Sequence, residues 1–275
     1  MKKKYKLWVV LLSVVVGFFV VLTGTYFTTK LKTVSVEFRA RLDESRLSVG
    51  VLDRVKDSAE FDYKKSVLFI NTQKNIDKIE KSNPYVKVQQ IIRKFPNKIC
   101  VYISERIPKY RIVDSKDSST WFILDEDFKV LQSMTNNDLL LENLDDKTIE
   151  IKHISENINV GEFLNKNTDR NNLNALMSGV FGRTKDYFAV RSIDFSSEEN
   201  KFYLTMRTTV ETDDGEINYS GGCIIEIKNV GNLKEKALKG TCAYVGDESL
   251  IDGRDLTQKQ VIVVDENGCI IKNQG

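Results

Sequence analysis

A chain of 275 residues, 41% hydrophobic and 29% charged, holds enough apolar material for one large or two modest domains and is too apolar to be mainly disordered. Its 41 basic residues oppose 39 acidic ones for a formal net charge of +2, a field too weak to collect nucleic acid, so that class of partner is excluded. One histidine and four cysteines with no C-x-x-C spacing make a zinc site improbable.

Residues 7–29 carry no charge, and about 20 apolar residues rising ~1.5 Å each cross a hydrocarbon layer of roughly 30 Å. Trp8 and Tyr26 stand near the two ends, where amphipathic rings favour the headgroup region. The run is too long for the core of a signal peptide and no A-x-A-like site follows it, so an uncleaved anchor is expected. Residues 1–6, with four lysines, then form a cytoplasmic tail and the bulk of the chain lies outside the membrane.

Beyond the anchor, residues 33–38 (TVSVEF) alternate Val34, Val36 and Phe38 on one face, a strand. A helix is predicted over residues 49–58 from the stripe Val51, Leu52 and Val55. A second begins at Asn71 or Thr72, buries Ile76 and Ile79, and stops where Pro84 forces Asn83 out of helical geometry. A strand follows from Tyr85, then a turn at Pro96 and Asn97, proline supplying a preset φ and asparagine tolerating a positive one, and a return strand over residues 98–105. The order strand, helix, helix, strand, strand lets two helices cover one face of a small sheet.

From Tyr110 onward short alternating runs at 120–124, 128–132, 149–153, 187–195, 201–207, 222–228 and 260–264 read as strands, parted by the turn signals DED, EEN, DDG and ENG. A helix over residues 169–181 puts Leu173, Leu176, Met177 and Val180 on one stripe, and a short lysine-rich helix is predicted over residues 232–238. The fold class is α+β: a three-stranded sheet with two helices, then a mainly antiparallel β domain with one or two packed helices.

The run LFIN, a helix ending NPYVK, and then RKFPNKICVYISERIP resembles the POTRA domain of the bacterial cell-division family FtsQ/DivIB. Phe95, Pro96, Asn97, Glu105, Arg106 and Pro108 carry that motif, and Ile123, Leu124, Asp125 and Val130 resemble the opening of the family's β domain. Phe128 departs from it, standing where the turn usually has glycine. The resemblance implies a POTRA domain over residues 30–108, a β domain over 109–259, and C-terminal edge strands and tail over 260–275. It implies a single-pass scaffold at the division septum that binds membrane division proteins of the FtsL and FtsB/DivIC type and helps regulate septal peptidoglycan synthesis, with no catalysis, cofactor, metal or small-molecule substrate. Strand addition at a sheet edge suits such recognition, and Gln260, Val261, Ile262, Val263, Val264, Ile270 and Ile271 are the candidate edge.

Two other functions compete. Thr241 and Cys242, with His153 and Arg254, suggest a sortase-like cysteine transpeptidase, although the signature's spacing is off. A generic anchored binding module is the other, but the aromatic residues fall at core spacing rather than in a cluster. Glu105 and Arg106 are expected to brace the junction between the domains, stiffened by Pro108, since adjacent strand residues face opposite ways and cannot share a ligand. Asp125, Glu126 and Asp127 read as a turn rather than a calcium loop, and His153 as a partly buried strand residue. Free, buried thiols are expected, with a disulfide among Cys223, Cys242 and Cys269 the alternative.

Overall fold

The computed structural model describes residues 2–40, 47, 49–154, 158–164, 167–184, 186, 189–195, 201–212, 215–218, 222–229, 231–245 and 258–274. The chain divides into two units, Met1–Arg106 and Ile107–Gly275.

The first unit opens with α1 (Lys2–Thr28), whose stretch Trp8–Thr28 is long and apolar enough to cross a membrane. Then come β1 (Thr33–Ala40), α2 (Val51–Ser58), a 3-10 turn at Val67–Phe69, α3 (Thr72–Ser82), β2 (Val86–Lys94) and β3 (Lys98–Glu105). The sheet order is β1-β3-β2, with β1 parallel and β2 antiparallel to β3. Helix α3 starts where Asn71 accepts the Lys74 N–H and ends at Asn83, whose φ of −132° lies outside the helical region, as the following proline requires. Val55 and Ile79 from the helices and Ile99, Val101 and Ile103 from β3 are fully buried in one core. Cys100 points to the opposite face, where Ser35 Oγ lies 3.1 Å from its sulfur.

Between β2 and β3 the Phe95–Pro96 bond is cis, and Asn97 is not among the left-handed residues. The Asn97 carbonyl accepts the N–H groups of Lys32 and Thr33 at 2.8 and 3.3 Å, which fixes the turn to the start of β1.

The second unit contains β4 (Tyr110–Val113), β5 (Thr120–Leu124), β6 (Val130–Thr135), α4 (Asn136–Leu141), α5 (Leu144–Lys147), β7 (Ile149–Lys152) and α6 (Asn167–Thr184). It continues with β8 (Val190–Phe195), β9 (Lys201–Met206), the hairpin β10 (Thr209–Thr212) and β11 (Gly215–Asn218), then β12 (Cys223–Lys228), α7 (Leu233–Val245), β13 (Lys259–Val264) and β14 (Cys269–Gln274). Nine strands form one sheet in the order β14-β13-β12-β9-β8-β7-β4-β5-β6. Most pairs are antiparallel, while β4/β7, β7/β8 and β12/β13 are parallel. Leu173, Leu176, Met177 and Val180 of α6 join Ala237, Ala243 and Tyr244 of α7 in the main core with Ile151, Ile193, Leu204, Ile225 and Ile262. A smaller cluster of Ile123, Met134, Leu139 and Leu144 lies on the other face, as strand alternation dictates for Ile123 beside Leu124.

Helix α7 corrects the sequence reading. It runs to Val245 rather than stopping near Leu238, because Gly240, Thr241, Ala243 and Tyr244 are buried against the sheet. The EEN turn, the start of the run at 187–195 and Arg254 lie outside the described residues.

Candidate partner-binding surface

A sheet recruits an added strand only where a strand keeps one side of its backbone unpaired. Residues 260–264 lack such a side: β13 pairs with β12 on one flank and with β14 on the other. The edge is therefore one strand further out, and of the residues expected there only Ile270 and Ile271 lie on it. Gln260, Val261, Ile262, Val263 and Val264 are interior to the sheet.

The ladder defines which groups of β14 are available. The Gln260 N–H donates to the Gly222 carbonyl, so residue 260 bonds toward β12, and alternate residues of β13 turn toward β14. Asp265 agrees, donating its N–H to the Gly268 carbonyl across the hairpin at 3.1 Å. With Val263 opposite Ile270 and Ile262 opposite Ile271, Ile270 and Lys272 bond inward, while Ile271 and Asn273 present their N–H and C=O groups outward. Among the described residues no strand pairs with that outer side. Asp265 holds the turn, its Oδ1 accepting the N–H groups of Asn267 and Gly268.

The side chains of β14 divide by face. Cys269 and Ile271 pack on the main core, whereas Ile270, 57% exposed, sits on the opposite face beside Val263. Val263 pairs in turn with Glu226 and Glu226 with Tyr203, and Val261 with Ile224. The edge thus adjoins a sheet face of mixed apolar and polar character. The other edge, β6, is partly covered: Val130 N–H donates to the Glu162 carbonyl and its own carbonyl accepts from Gly161.

Arg106, 4% exposed, places Nη2 2.8 Å from Glu80 Oε2 and directs Nε to the Val86 carbonyl at 3.3 Å. Glu80 Oε1 accepts the Val88 N–H. Arg106 therefore ties the end of β3 to α3 and β2 within its own unit. Glu105 stands opposite Val86 in the ladder, Phe95 is exposed at its turn, and Pro108 lies just before β4.

In the second unit Asp125 behaves as a turn residue. Its Oδ1 accepts from Asp127 and Lys129 N–H, and Phe128 N–H closes back on its carbonyl. Phe128 holds φ at +62°, the left-handed conformation that glycine would take without strain, and its ring stacks on Tyr110 with centroids 4.9 Å apart. Only the family resemblance pointed to that position. His153 falls beyond β7, exposed, with φ +60° and Nδ1 2.5 Å from Asp194 Oδ1, rather than partly buried in a strand. Thr241 bonds back to the Ala237 carbonyl within α7 and Cys242 is half-buried on the same helix, so the Thr-Cys pair is part of a packed helix. None of the four cysteines is joined in a disulfide.

A cleft of about 550 Å³ beside β8, β9, β12 and β13 is lined by Arg191, Arg207, Lys259 and Asp146 among others.

Residues 52–106 match the family model for the FtsQ-type POTRA domain. Over 185 residues the chain is 25% identical to the cell division protein DivIB of Clostridium tetani, an alignment covering 65% of this chain and 66% of that protein.

Proposed function

From the chain's membership of the FtsQ/DivIB family of cell-division proteins, we propose that it is a bitopic scaffold of the division machinery. The apolar helix α1 anchors it, the lysine-rich N-terminus stays in the cytoplasm, and both units work outside the membrane. The protein binds FtsL and FtsB/DivIC-type partners and helps regulate septal peptidoglycan synthesis at midcell without chemistry of its own. The observation that carries this reading is the outer side of β14, with which no strand pairs among the described residues and which offers backbone donors and acceptors to an extended segment of a partner. Pairing through the backbone demands little of side-chain identity.

The test is cellular. In the host cell a fluorescent fusion concentrates at midcell late in the division cycle, and depletion yields elongated or poorly septating cells. Uniform membrane fluorescence with normal division refutes the reading. Cys242→Ser leaves division intact; its complete loss with the fold preserved would favour transpeptidase chemistry.

A further inference from the structure

The end of α1 continues directly into the first unit. Thr29 and Leu31 are buried, Leu31 N–H donates to the Lys65 carbonyl, Val67 N–H donates to the Thr29 carbonyl, and Thr29 Oγ1 lies 2.6 Å from Ser66 Oγ. Tyr26, two residues before the helix ends, donates its hydroxyl to the Lys64 carbonyl at 3.0 Å. The 21 uncharged, mainly apolar residues Trp8–Thr28 span about 31 Å at ~1.5 Å each, matching a hydrocarbon core of roughly 30 Å. The bilayer edge therefore falls at the last turn of α1, and the loop at residues 62–69 is hydrogen-bonded at that level.

A second loop is held beside it. Arg93 Nε and Nη2 donate to the Val67 and Ile70 carbonyls, both at 2.9 Å, which pins the 3-10 turn to the end of β2, and the Asn97 carbonyl receives Lys32 and Thr33. These two loops carry large apolar side chains that the unit's own core does not use: Phe69 is 71% exposed, Phe95 63%, and Leu68 and Tyr63 are also exposed. Lys32, Lys64 and Lys94 stand exposed among them, and Lys65 lies 3.7 Å from Asp62.

We propose that Leu68, Phe69 and Phe95, flanked by Tyr63 and Lys64, form a membrane-docking surface that seats the POTRA domain on the phospholipid headgroups beside its anchor. Exposed aromatic and aliphatic groups ringed by lysine are the chemistry that partitions into the bilayer interface, and lysine near the surface adds attraction to anionic lipid. Continuity with α1 identifies the occupant as lipid. The proposal rests on α1 being a membrane anchor.

The test uses the full chain in phosphatidylcholine vesicles with and without phosphatidylglycerol. The photoreactive residue benzoylphenylalanine is placed in turn at Phe69, at Phe95, at Phe18 within α1, and at Ser82, exposed at the end of α3 beside the start of β2. Irradiation and mass spectrometry then measure lipid adducts. The expected result is adducts at Phe69, Phe95 and Phe18, each several-fold above Ser82, with the yield at the two loop sites raised by phosphatidylglycerol and lowered by Lys64→Glu. Adducts at Phe18 with none at Phe69 or Phe95, or equal yields at Ser82, overturn the docking surface and leave the anchor standing. No adduct at Phe18 overturns both.

Discussion

Phe128 shows how one residue can hold two opposed demands. A side chain in the left-handed region costs about 1–2 kcal/mol, yet the ring is fully buried against Tyr110, and truncating such a phenylalanine costs ~3–5 kcal/mol. Packing wins by magnitude. Phe128→Gly, which restores the family's usual residue, is therefore expected to destabilise the second unit by about 2–3 kcal/mol in denaturant titration; a stabilised variant would show that backbone strain dominates. Arg106 and Glu80 pose a different case: their charges are buried together, so the pair specifies how α3 sits on the sheet more than it adds net stability.

At the scale of elements, close approach and edges decide behaviour. Helices α6 and α7 cross at Gly179, where an added Cβ would lie 2.4 Å from the Lys234 carbonyl oxygen and 2.7 Å from Ala237 Cβ. Backbone cannot yield as a flexible side chain can, so Gly179→Ala should cost ~1–3 kcal/mol or more. Gly182→Ala, one turn on, meets only Leu238 Cδ1 at 3.4 Å and should be neutral or slightly stabilising, since alanine is favoured in helices by up to ~1 kcal/mol. Equal melting temperatures for the two variants would contradict this crossing geometry. The edge strand has its own pair of tests. Ile271→Pro removes an outward N–H and should abolish capture of a DivIC/FtsB-type partner while the fold survives, with Ile271→Ala controlling for the lost side chain. Ile270→Pro removes a donor to β13 and should loosen the hairpin itself. Proline at Ile262 or Val263 would break the ladder on one flank or the other. A folded Ile271→Pro protein that still retains the partner in a pull-down places recognition elsewhere.

For the whole molecule, the hydrophobic clusters of the two units share no residue. Ile103 is fully buried in the first, and an unpaired carboxylate there costs several kcal/mol, comparable with the ~5–15 kcal/mol that stabilise a domain. Ile103→Asp should erase the unfolding transition of the first unit and leave that of the second in place, read by limited proteolysis of the full chain in detergent. Loss of both together would mean that the two cores fold as one cooperative system.

What could be read from the residues was local. An unbroken apolar run marks a membrane helix, period-two and helical stripes mark β1 to β3 with α2 and α3, and Pro84 ends α3, because each signal depends on neighbours in the chain. Resemblance supplied the family for the region around Phe95 and Arg106. The second half of α7, KGTCAYV, escaped because it carries glycine and β-branched residues that favour helix weakly, and burial of Ala243 and Tyr244 overrides that preference. The edge was drawn too broadly, taking in β13 together with β14, for a deeper reason. The sequence determined that residues 260–264 and 269–272 are strands, but which flank of each stays open depends on the parallel pairing of β13 with β12 across α7. Those bonds are made by backbone groups that every residue carries, so no side chain announces them, and only the assembled sheet decides which strand is last.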